Sequence, residues 1–397
     1  MERAQLIALL RATGCAVERD GGFFLGDAGA RAAAASRTSN IQHRTPNFQV
    51  PEAEVLNPTF NAQVSEGWVG IATGGSSGGV KFARHDERTL TAAVLGFCAH
   101  FEIEQVNAVD VLPAHHVSGL MARVRSAETG GEHVAWDWKR LEQGQRPELA
   151  RGKNWVVSLV PTQLQRLLGS AEAVAWLRGF KIIFVGGGPV WPELAEAAAR
   201  EKLPVSLSYG MTETAAMVAA LRPEEFLAGA RGCGMALPHA RVSVDADGVV
   251  SVAGESVFRG YWPETRETRE FVTEDLGRID ERGGLEIFGR RDAVIITGGK
   301  KVQPAEVEAV LRASGEFADV AVIGVPDAEW GEVVVACYPA SEREPNIERA
   351  VGALPGYLRP KRFVAVADWP RNEQGKINRA VLREIAGSSD LRPGAFL

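Results

Sequence analysis

The chain has 397 residues, enough for two or three domains with at least one large core. Hydrophobic residues make up 45% of it and charged residues 24%, as in ordinary soluble globular proteins. The net charge of −6 argues against a protein that binds nucleic acid by neutralising phosphates, and no run approaches the ~18 apolar residues of a membrane span.

The cysteines are scattered along the chain and form no CxxC pair. This pattern predicts reduced thiols in a cytoplasmic protein rather than a disulfide framework or a zinc site. The first residues carry no basic patch followed by a long apolar core, so we expect no secretory signal.

Predicted elements begin with a short helix over residues 5–10, a turn at 21–22 and a helix-prone stretch over 28–39. From residue 68 onward, strands are predicted over 68–72, 106–112, 155–160, 181–185 and 205–209, and helices over 88–101, 162–168 and 191–202. In the helix over 88–101, the residues Leu90, Val94, Leu95 and Cys98 are predicted to share one face. Strands that alternate with helices indicate a largely parallel α/β domain, in which ligand loops follow the carboxyl ends of strands. The loops at 73–79, 186–188 and 208–214 each follow a predicted strand, so we expect them to converge on one site.

The pattern changes near residue 231 to shorter β segments, over 241–244, 249–252 and 285–288, with a hairpin turn at 245–248. Beyond 289–292 it becomes a compact α+β unit with helices over 304–311 and 380–385 and strands over 320–325, 333–338 and 362–366. The chain after residue 387 is predicted to fray. The fold class is therefore α/β, with a large N-terminal α/β domain (1–290) of mostly parallel sheets and a small β subdomain, followed by a small mobile α+β domain (291–397).

Glycine and hydroxyl residues are concentrated in the sequence Thr-Gly-Gly-Ser-Ser-Gly-Gly-Val-Lys at 73–81. Glycines allow backbone amides to approach an anion closely, and the serines and Lys81 add donors and charge. The loop suits a polyphosphate, although Gly/Ser stretches are also common as plain connectors. A phosphate-loop NTPase would close the loop with Gly-Lys-Ser/Thr, and Gly79-Val80-Lys81-Phe82 does not.

Five motifs in order resemble those of the adenylate-forming superfamily, which contains acyl-CoA ligases, peptide-synthetase adenylation domains and luciferases. They are the loop at 73–81, Ser-Tyr-Gly-Met-Thr-Glu at 208–213, Asp-Leu-Gly-Arg-Ile-Asp at 275–280, Gly-Arg-Arg-Asp at 289–292, and Pro-Arg-Asn-Glu-Gln-Gly-Lys-Ile-Asn-Arg at 370–379. Single residues of this kind are more often ordinary core, cap or turn residues, but their joint order favours the family.

The resemblance implies that a carboxylate attacks the α-phosphate of ATP to give an acyl-adenylate, and that a thiol, here coenzyme A, then releases AMP. It implies catalytic roles for Lys376, His116, Thr212 and Glu213, with Glu213 also holding Mg²⁺. The implied ATP-binding residues are Thr73, Gly74, Gly75, Ser76, Ser77, Gly78, Lys81, Gly186, Gly187, Gly188, Ser208, Tyr209, Gly210, Met211, Asp275 and Arg290. His116, Gly187, Ser208 and Thr214 are the implied acyl-binding residues, Asp292 the hinge, and Gly298, Gly299 and Lys300 the segment presented to coenzyme A.

Within the superfamily, the short chain and the segments at 115–120, 208–214, 291–299 and 304–308 look most like the 2-succinylbenzoate–CoA ligases of menaquinone or phylloquinone synthesis. That acid is an aromatic dicarboxylate, so its second anion needs a partner. Ser208, Thr214 and glycine-loop amides are candidates, together with a water-mediated cation such as Arg123 or Arg125. The chain before Thr73 is shorter than in the family, so we expect an abbreviated N-terminal subdomain. Val80, Gly74 and Glu274 stand where the family often has Pro, Ser and Gly.

Alternative functions share these motifs. Another aryl- or acyl-CoA ligase differs only in its pocket, and a carrier-protein-loading adenylation enzyme differs in its thiol acceptor. A non-catalytic nucleotide-binding protein would be expected to lack Lys376, Glu213 or Asp275, and all three are present. The expected partners are a small carboxylate, ATP and CoA, with no nucleic acid and no membrane span, in a monomer or homodimer.

Overall fold

The computed structural model of the chain describes residues 1–19, 22–27, 30, 68–74, 80–340, 344–371 and 377–387. Within these residues, twenty strands form four sheets. The turn predicted at 21–22 and the helix-prone stretch at 28–39 fall largely outside the described residues, as does the chain after residue 387.

The first sheet holds the N-terminal strands in the order β1-β2-β3-β4 and carries helix α1 (Arg3–Ala12). Its strands are β1 (Ala16–Arg19), β2 (Gly22–Leu25), β3 (Trp68–Gly74) and β4 (Val80–His85). Only β2 and β3 pair in parallel. The expectation of mostly parallel sheets is wrong here, because residues 75–79 are too few for the crossover that a parallel pair requires.

The second sheet has seven strands and confirms the alternating α/β pattern. Its order is β11-β10-β9-β8-β7-β5-β6, parallel from β6 to β9 and antiparallel at β10 and β11. The strands are β5 (Asn107–Asp110), β6 (His133–Ala135), β7 (Trp155–Leu159), β8 (Ile182–Val185), β9 (Val205–Met211), β10 (Ala216–Ala220) and β11 (Met235–Ala236). The helices that belong to it are α2 (Glu87–Phe101), α3 (Val117–Thr129), α4 (Trp138–Glu142), α5 (Pro161–Leu168), α6 (Ala171–Leu177), α7 (Pro192–Arg200) and α8 (Pro223–Leu227).

Helix α2 packs between the first two sheets. Leu90 and Val94 are fully buried in a cluster with β3, whereas Phe97 packs with Phe184 of the second sheet. The prediction that Leu95 shares the buried face is wrong, since its side chain is 62% exposed. Consecutive helical residues lie about 100° apart, so Leu90, Val94 and Phe97 share one buried face and Leu95 turns outward.

The third sheet is antiparallel throughout, in the order β12-β13-β14-β15. Its strands are β12 (Ala240–Val244), β13 (Val249–Gly254), β14 (Glu270–Ile279) and β15 (Leu285–Arg290). The predicted turn at 245–248 is confirmed, because the Asp245 carboxylate accepts from the amides of Asp247 and Val249 and Gly248 has φ +82°. Strand β14 was not predicted.

The fourth sheet begins after a single 3₁₀ turn, Arg291–Ala293. Its strands are β16 (Ile295–Thr297), β17 (Lys300–Val302), β18 (Ala321–Asp327), β19 (Gly331–Pro339) and β20 (Arg362–Val366), with helices α9 (Pro304–Ala313), α10 (Ile347–Val351) and α11 (Arg379–Gly387). The order is β17-β16-β19-β18, and β20 pairs with β19 in parallel. The mixed α/β class is therefore confirmed. None of the described helices is both long and apolar enough to cross a bilayer.

Candidate active site

A cavity of about 440 Å³ lies at the carboxyl ends of β5, β7, β8 and β9. The first sheet closes one side through β3 and β4, and the third sheet closes another through β14 and β15. The predicted site residues that line it are Thr73, Lys81, His116, Gly186, Gly187, Ser208, Gly210, Met211, Thr212, Glu213, Asp275 and Arg290. The three predicted loops thus border one cavity, as their positions after strands led us to expect.

Several predicted residues lie elsewhere. Gly75, Ser76, Ser77, Gly78 and Lys376 fall outside the described residues, and Gly74 ends β3, paired with Val80. Tyr209, Gly188 and Thr214 do not line the cavity, nor does the hairpin turn formed by Gly298, Gly299 and Lys300 between β16 and β17.

Thr214 is a poor acyl-binding residue. Its side chain is fully buried, and its hydroxyl lies 2.7 Å from the Ala216 carbonyl and 3.1 Å from the Met211 carbonyl. The amide of Met211 donates to the Thr214 hydroxyl oxygen. These contacts hold the turn at 212–216, where Ala215 and Ala216 have φ of +53° and +74°. A hydroxyl held by the turn has no free donor for a substrate, so these contacts argue against the predicted acyl-binding role.

The loop predicted to bind phosphate connects the two strands of an antiparallel hairpin. Thr73 pairs with Lys81 across β3 and β4, so residues 75–79 connect two strands of the first sheet. The other two loops follow strands of the second sheet. The Lys81 ammonium lies 5.3 Å from the centre of the Tyr261 ring, and both residues line the cavity. A cation therefore faces the cavity at the foot of the glycine-rich loop.

Thr212 and Glu213 form the 3₁₀ turn Thr212–Thr214 after β9. The Glu213 carboxylate is only 7% exposed and accepts a 2.7 Å hydrogen bond from the Tyr261 hydroxyl. Its backbone carbonyl accepts from the amide of Phe258 at 2.8 Å. The Thr212 carbonyl accepts from buried His85. A carboxylate held this way on a cavity wall fits Mg²⁺, which takes one or two carboxylates together with substrate phosphates.

Asp275 lies within β14, opposite Arg290 of β15. The Tyr209 hydroxyl donates to its carboxylate at 2.7 Å, and an Arg290 nitrogen is 3.7 Å away. Burial, and then the Asp275 charge, raise the pKa of Tyr209, so the phenol remains a donor. Arg290 also makes two 2.8 Å hydrogen bonds to Asp292, which raise the pKa of Arg290. The predicted ribose and hinge residues are therefore joined through one guanidinium.

Arg125 lines the cavity from helix α3 and is 5% exposed. Its guanidinium lies 4.3 Å from the centre of the Phe97 ring, and burial lowers the pKa of Arg125 to about 10. Within the described part of the chain, no carboxylate forms an ion pair with it, and its Nε has no hydrogen-bond partner. Arg123, by contrast, pairs with Asp110 at 3.5 Å. Of the two predicted arginines, Arg125 is the one available to an anion in the cavity.

His116 caps the N-terminus of α3 and lines the cavity beside Pro113. Its ring centre lies 4.2 Å from that of His115, which does not line the cavity. Of the two histidines, the sequence predicted His116 as the site residue. In the structure His116 lines the cavity and His115 does not. The sequence did not predict Tyr261 and His85, whose contacts join residues far apart in the chain and leave no local pattern.

A larger groove, of about 650 Å³, lies between α2 and α3. It contains none of the motif residues. The side chains along it that can carry charge at neutral pH are Glu102, Glu104 and Glu128. Acidic walls repel phosphate and carboxylate groups, so the smaller cavity is the candidate active site.

Models of two protein families match the chain. The AMP-binding enzyme model matches residues 50–262, more than half of the sequence, and the AMP-binding enzyme C-terminal domain model matches residues 306–376. This chain belongs to the AMP-binding enzyme family. The predicted superfamily is thereby confirmed.

Curated relatives of this AMP-binding enzyme include 2-succinylbenzoate–CoA ligases. That of Listeria monocytogenes is 33% identical over 287 residues, covering 69% of this chain and 60% of the relative. That of Geobacillus kaustophilus is 32% identical over 297 residues, with the same coverage. The chain thus spans about 60% of the length of these relatives.

Solved structures similar to this AMP-binding enzyme include o-succinylbenzoate CoA synthetase from Bacillus subtilis in complex with its acyl-adenylate intermediate. The TM-score is 0.70 at 26% identity, covering 83% of this chain and 70% of that one. The same synthetase in complex with ATP and a magnesium ion gives a TM-score of 0.67 at 26% identity, covering 80% and 69%. The mixed α/β architecture is therefore shared with these enzymes.

Proposed function

We propose that this AMP-binding enzyme is an ATP-dependent acid–thiol ligase that converts an aromatic dicarboxylic acid, 2-succinylbenzoate, to its CoA thioester through an acyl-adenylate. Arg125 carries the choice of acid. It is a buried cation on the wall of the motif-lined cavity, and no acidic side chain of the described residues pairs with it. A buried charge without a partner is costly, and a substrate carboxylate offsets that cost.

The two ends of the cavity differ in charge and divide the substrates between them. Lys81, Thr212 and Glu213 lie at the phosphate end, and Asp275 accepts the ribose hydroxyls beside Arg290. His116, Gly187 and Ser208 border the reacting carboxylate, and Arg125 receives the remote one. The ATP-binding set also includes Thr73, Gly74, Gly75, Ser76, Ser77, Gly78, Gly186, Gly188, Tyr209, Gly210 and Met211.

Glu213 is proposed to hold Mg²⁺, which when bound neutralises phosphate charge. The protein's own groups then position the reactants: the loop at 73–81 retains the leaving pyrophosphate, and Lys376 offsets the charge that builds up as the carboxylate attacks the α-phosphate. Attack by the CoA thiol on the acyl carbonyl releases AMP. Electrostatic stabilisation of this kind is the main protein contribution to phosphoryl chemistry.

Two domains, 1–290 and 291–397, are proposed to divide the half-reactions. The third sheet ends at Arg290 and the fourth begins at Ile295, which supports a boundary between them. Rotation near Asp292 would present Lys376 for adenylation, or the hairpin at Gly298, Gly299 and Lys300 for thioester formation. We place the enzyme in the cytoplasm, in menaquinone or phylloquinone synthesis, where Cys15, Cys98, Cys233 and Cys337 remain reduced thiols.

A panel of carboxylic acids tests the proposal, with pyrophosphate release measured with and without CoA. The panel contains 2-succinylbenzoate, benzoate, 4-phenylbutyrate and a medium-chain fatty acid. We expect 2-succinylbenzoate to give the highest kcat/KM and a CoA thioester as product. Turnover of the monocarboxylates without 2-succinylbenzoate would overturn the choice of acid. Pyrophosphate exchange with no CoA thioester would instead identify a carrier-protein-loading enzyme.

A further inference from the structure

Two tyrosines donate to two carboxylates of the cavity wall, each at 2.7 Å. The Tyr209 hydroxyl bonds to Asp275 at the ribose end. The Tyr261 hydroxyl bonds to Oε1 of Glu213 at the phosphate end. Tyr209 belongs to the proposed ATP-binding set, whereas Tyr261 has no role in the proposed function, although it lines the cavity.

Tyr261 is held by both of the segments that it connects. Its backbone bridges to Ala83 of β4, the strand that carries Lys81. Its ring packs edge-on against Phe258 at 4.9 Å, and the amide of Phe258 donates to the Glu213 carbonyl at 2.8 Å. Tyr261 therefore has a fixed position relative to both the phosphate hairpin and the turn that carries Glu213.

The hydroxyl and the ring of Tyr261 indicate two separate tasks. The hydroxyl occupies one carboxylate oxygen of Glu213, which leaves the other for a cation. The ring lies 5.3 Å below the Lys81 ammonium, within the range of a cation–π contact.

We propose that Tyr261 is a positioning residue that orients Glu213 toward the metal of a metal–ATP complex and seats Lys81 beside the phosphates. The inference rests on the proposed function. A hydroxyl that fixes one oxygen of a metal ligand acts through the metal, whereas a ring beneath an ammonium acts on the nucleotide whether or not metal is present. The two tasks can therefore be separated by binding measurements.

The test compares the dissociation constants of ATP with Mg²⁺ and with EDTA, measured by calorimetry on the full chain. In Tyr261→Phe, we expect the Kd of Mg·ATP to rise about tenfold or more, the value of a hydrogen bond to a charged group, while that of metal-free ATP stays within about twofold. Tyr261→Leu removes the ring as well and should also weaken metal-free ATP binding.

Tyr209→Phe is the matched control, since it removes the same atom from the same kind of bond. It should weaken Mg·ATP and metal-free ATP equally and leave their ratio unchanged. In Glu213→Gln, which keeps an acceptor for the hydroxyl but weakens the metal ligand, adding Tyr261→Phe should change the ratio no further.

The outcomes are distinct. If wild-type protein binds ATP neither with nor without Mg²⁺, the proposed function fails. If wild-type binding depends on Mg²⁺ but Tyr261→Phe leaves the ratio unchanged, or lowers both affinities equally, the role of Tyr261 is overturned and the proposed function stands.

Discussion

The Nε2 atom of His85 lies 2.7 Å from the carbonyl oxygen of Thr212. A carbonyl only accepts, so Nε2 carries the proton and donates to it. Nδ1 lies 3.1 Å from the Thr89 hydroxyl oxygen, which itself donates to the Asp86 carbonyl at 2.9 Å. His85 is fully buried, and burial lowers the pKa of His85 to about 4. A neutral imidazole thus holds the turn on which Thr212 and Glu213 lie.

Stability should therefore depend on pH. Because the pKa of His85 is about 4 in the folded chain and about 6.5, the ordinary value, in the unfolded chain, the unfolded chain binds the extra proton between these values. The contribution is fully present above pH 6.5 and is lost as the pH falls toward 4. We expect His85 to account for about 2 kcal/mol of the stability lost between pH 7 and pH 5, measured by urea unfolding.

His85→Gln isolates this contribution, because glutamine has no proton to gain in that range. Its free energy of unfolding should fall less between pH 7 and pH 5 than that of the wild type, by about the same 2 kcal/mol. Burial also lowers the pKa of His239 to about 4. His239 is present in both proteins and therefore contributes equally to both pH profiles. Identical pH profiles would show that His85 is not the titrating group.

Arg125→Met should separate function from stability. Loss of the cation should reduce kcat/KM for 2-succinylbenzoate about 10- to 100-fold, the value of a hydrogen bond between charged groups, with less than about threefold change for benzoate. Removing an unpaired buried charge should leave the free energy of unfolding unchanged or raise it by about 1 kcal/mol.

Arg123→Met is the control, since Arg123 pairs with Asp110, and it should keep the preference for the dicarboxylate. An equal loss on both acids in Arg125→Met would argue against a carboxylate-binding role.

Lys376→Ala should affect one half-reaction. We expect acyl-adenylate formation to slow about 10²–10³-fold, because a cation aimed at the developing charge is lost. Thioester formation from pre-made acyl-adenylate should stay within about threefold of the wild type, since that step does not use the lysine. The matched variant Lys81→Ala should chiefly raise the KM for ATP. Equal loss in both half-reactions would contradict the role assigned to Lys376.

Two glycines of the cavity should differ in their tolerance of a methyl group. A Cβ at Gly210 would lie 2.0 Å from the Ala216 carbonyl oxygen, part of a backbone turn that cannot withdraw. At Gly186 the nearest atom is the Ser208 hydroxyl oxygen at 2.9 Å, which can rotate away. We expect Gly210→Ala to lower the free energy of unfolding by about 2–4 kcal/mol, and Gly186→Ala by about 1 kcal/mol, in urea titrations. Equal costs would mean that the turn after β9 relaxes more easily than its geometry implies.

The sequence was informative where a strand is buried on both faces. Ile182–Val185 is apolar throughout, so both its position and the glycine turn after it were predictable. Strand β14 was missed because its central residues include Thr273, Glu274, Asp275 and Arg278, a polar run with no clear alternation. Tertiary pairing with β13 and β15 makes it a strand.

The sequence predicted which residues form the site, but not how the sheets assemble it. The glycine, hydroxyl and acidic motifs predicted which residues would lie together in the site. Nothing local indicated that the phosphate hairpin belongs to a different sheet from Ser208, or that Tyr261 would reach Glu213 across 48 positions. Of the pair Arg123 and Arg125, only the packing of α3 decides which guanidinium faces the cavity. Such relationships are set by long-range contacts, which a single sequence does not display.

The cavity takes its walls from three sheets: Thr73 from the first, Ser208 from the second and Asp275 from the third. A molecule that touches all three binds only when all three are assembled. By mass action, each tenfold excess of ligand over its Kd then adds about 1.4 kcal/mol to the cost of detaching any one sheet. A bound ligand therefore makes the three sheets unfold as one cooperative unit. The amide protons of the three sheets should then exchange together.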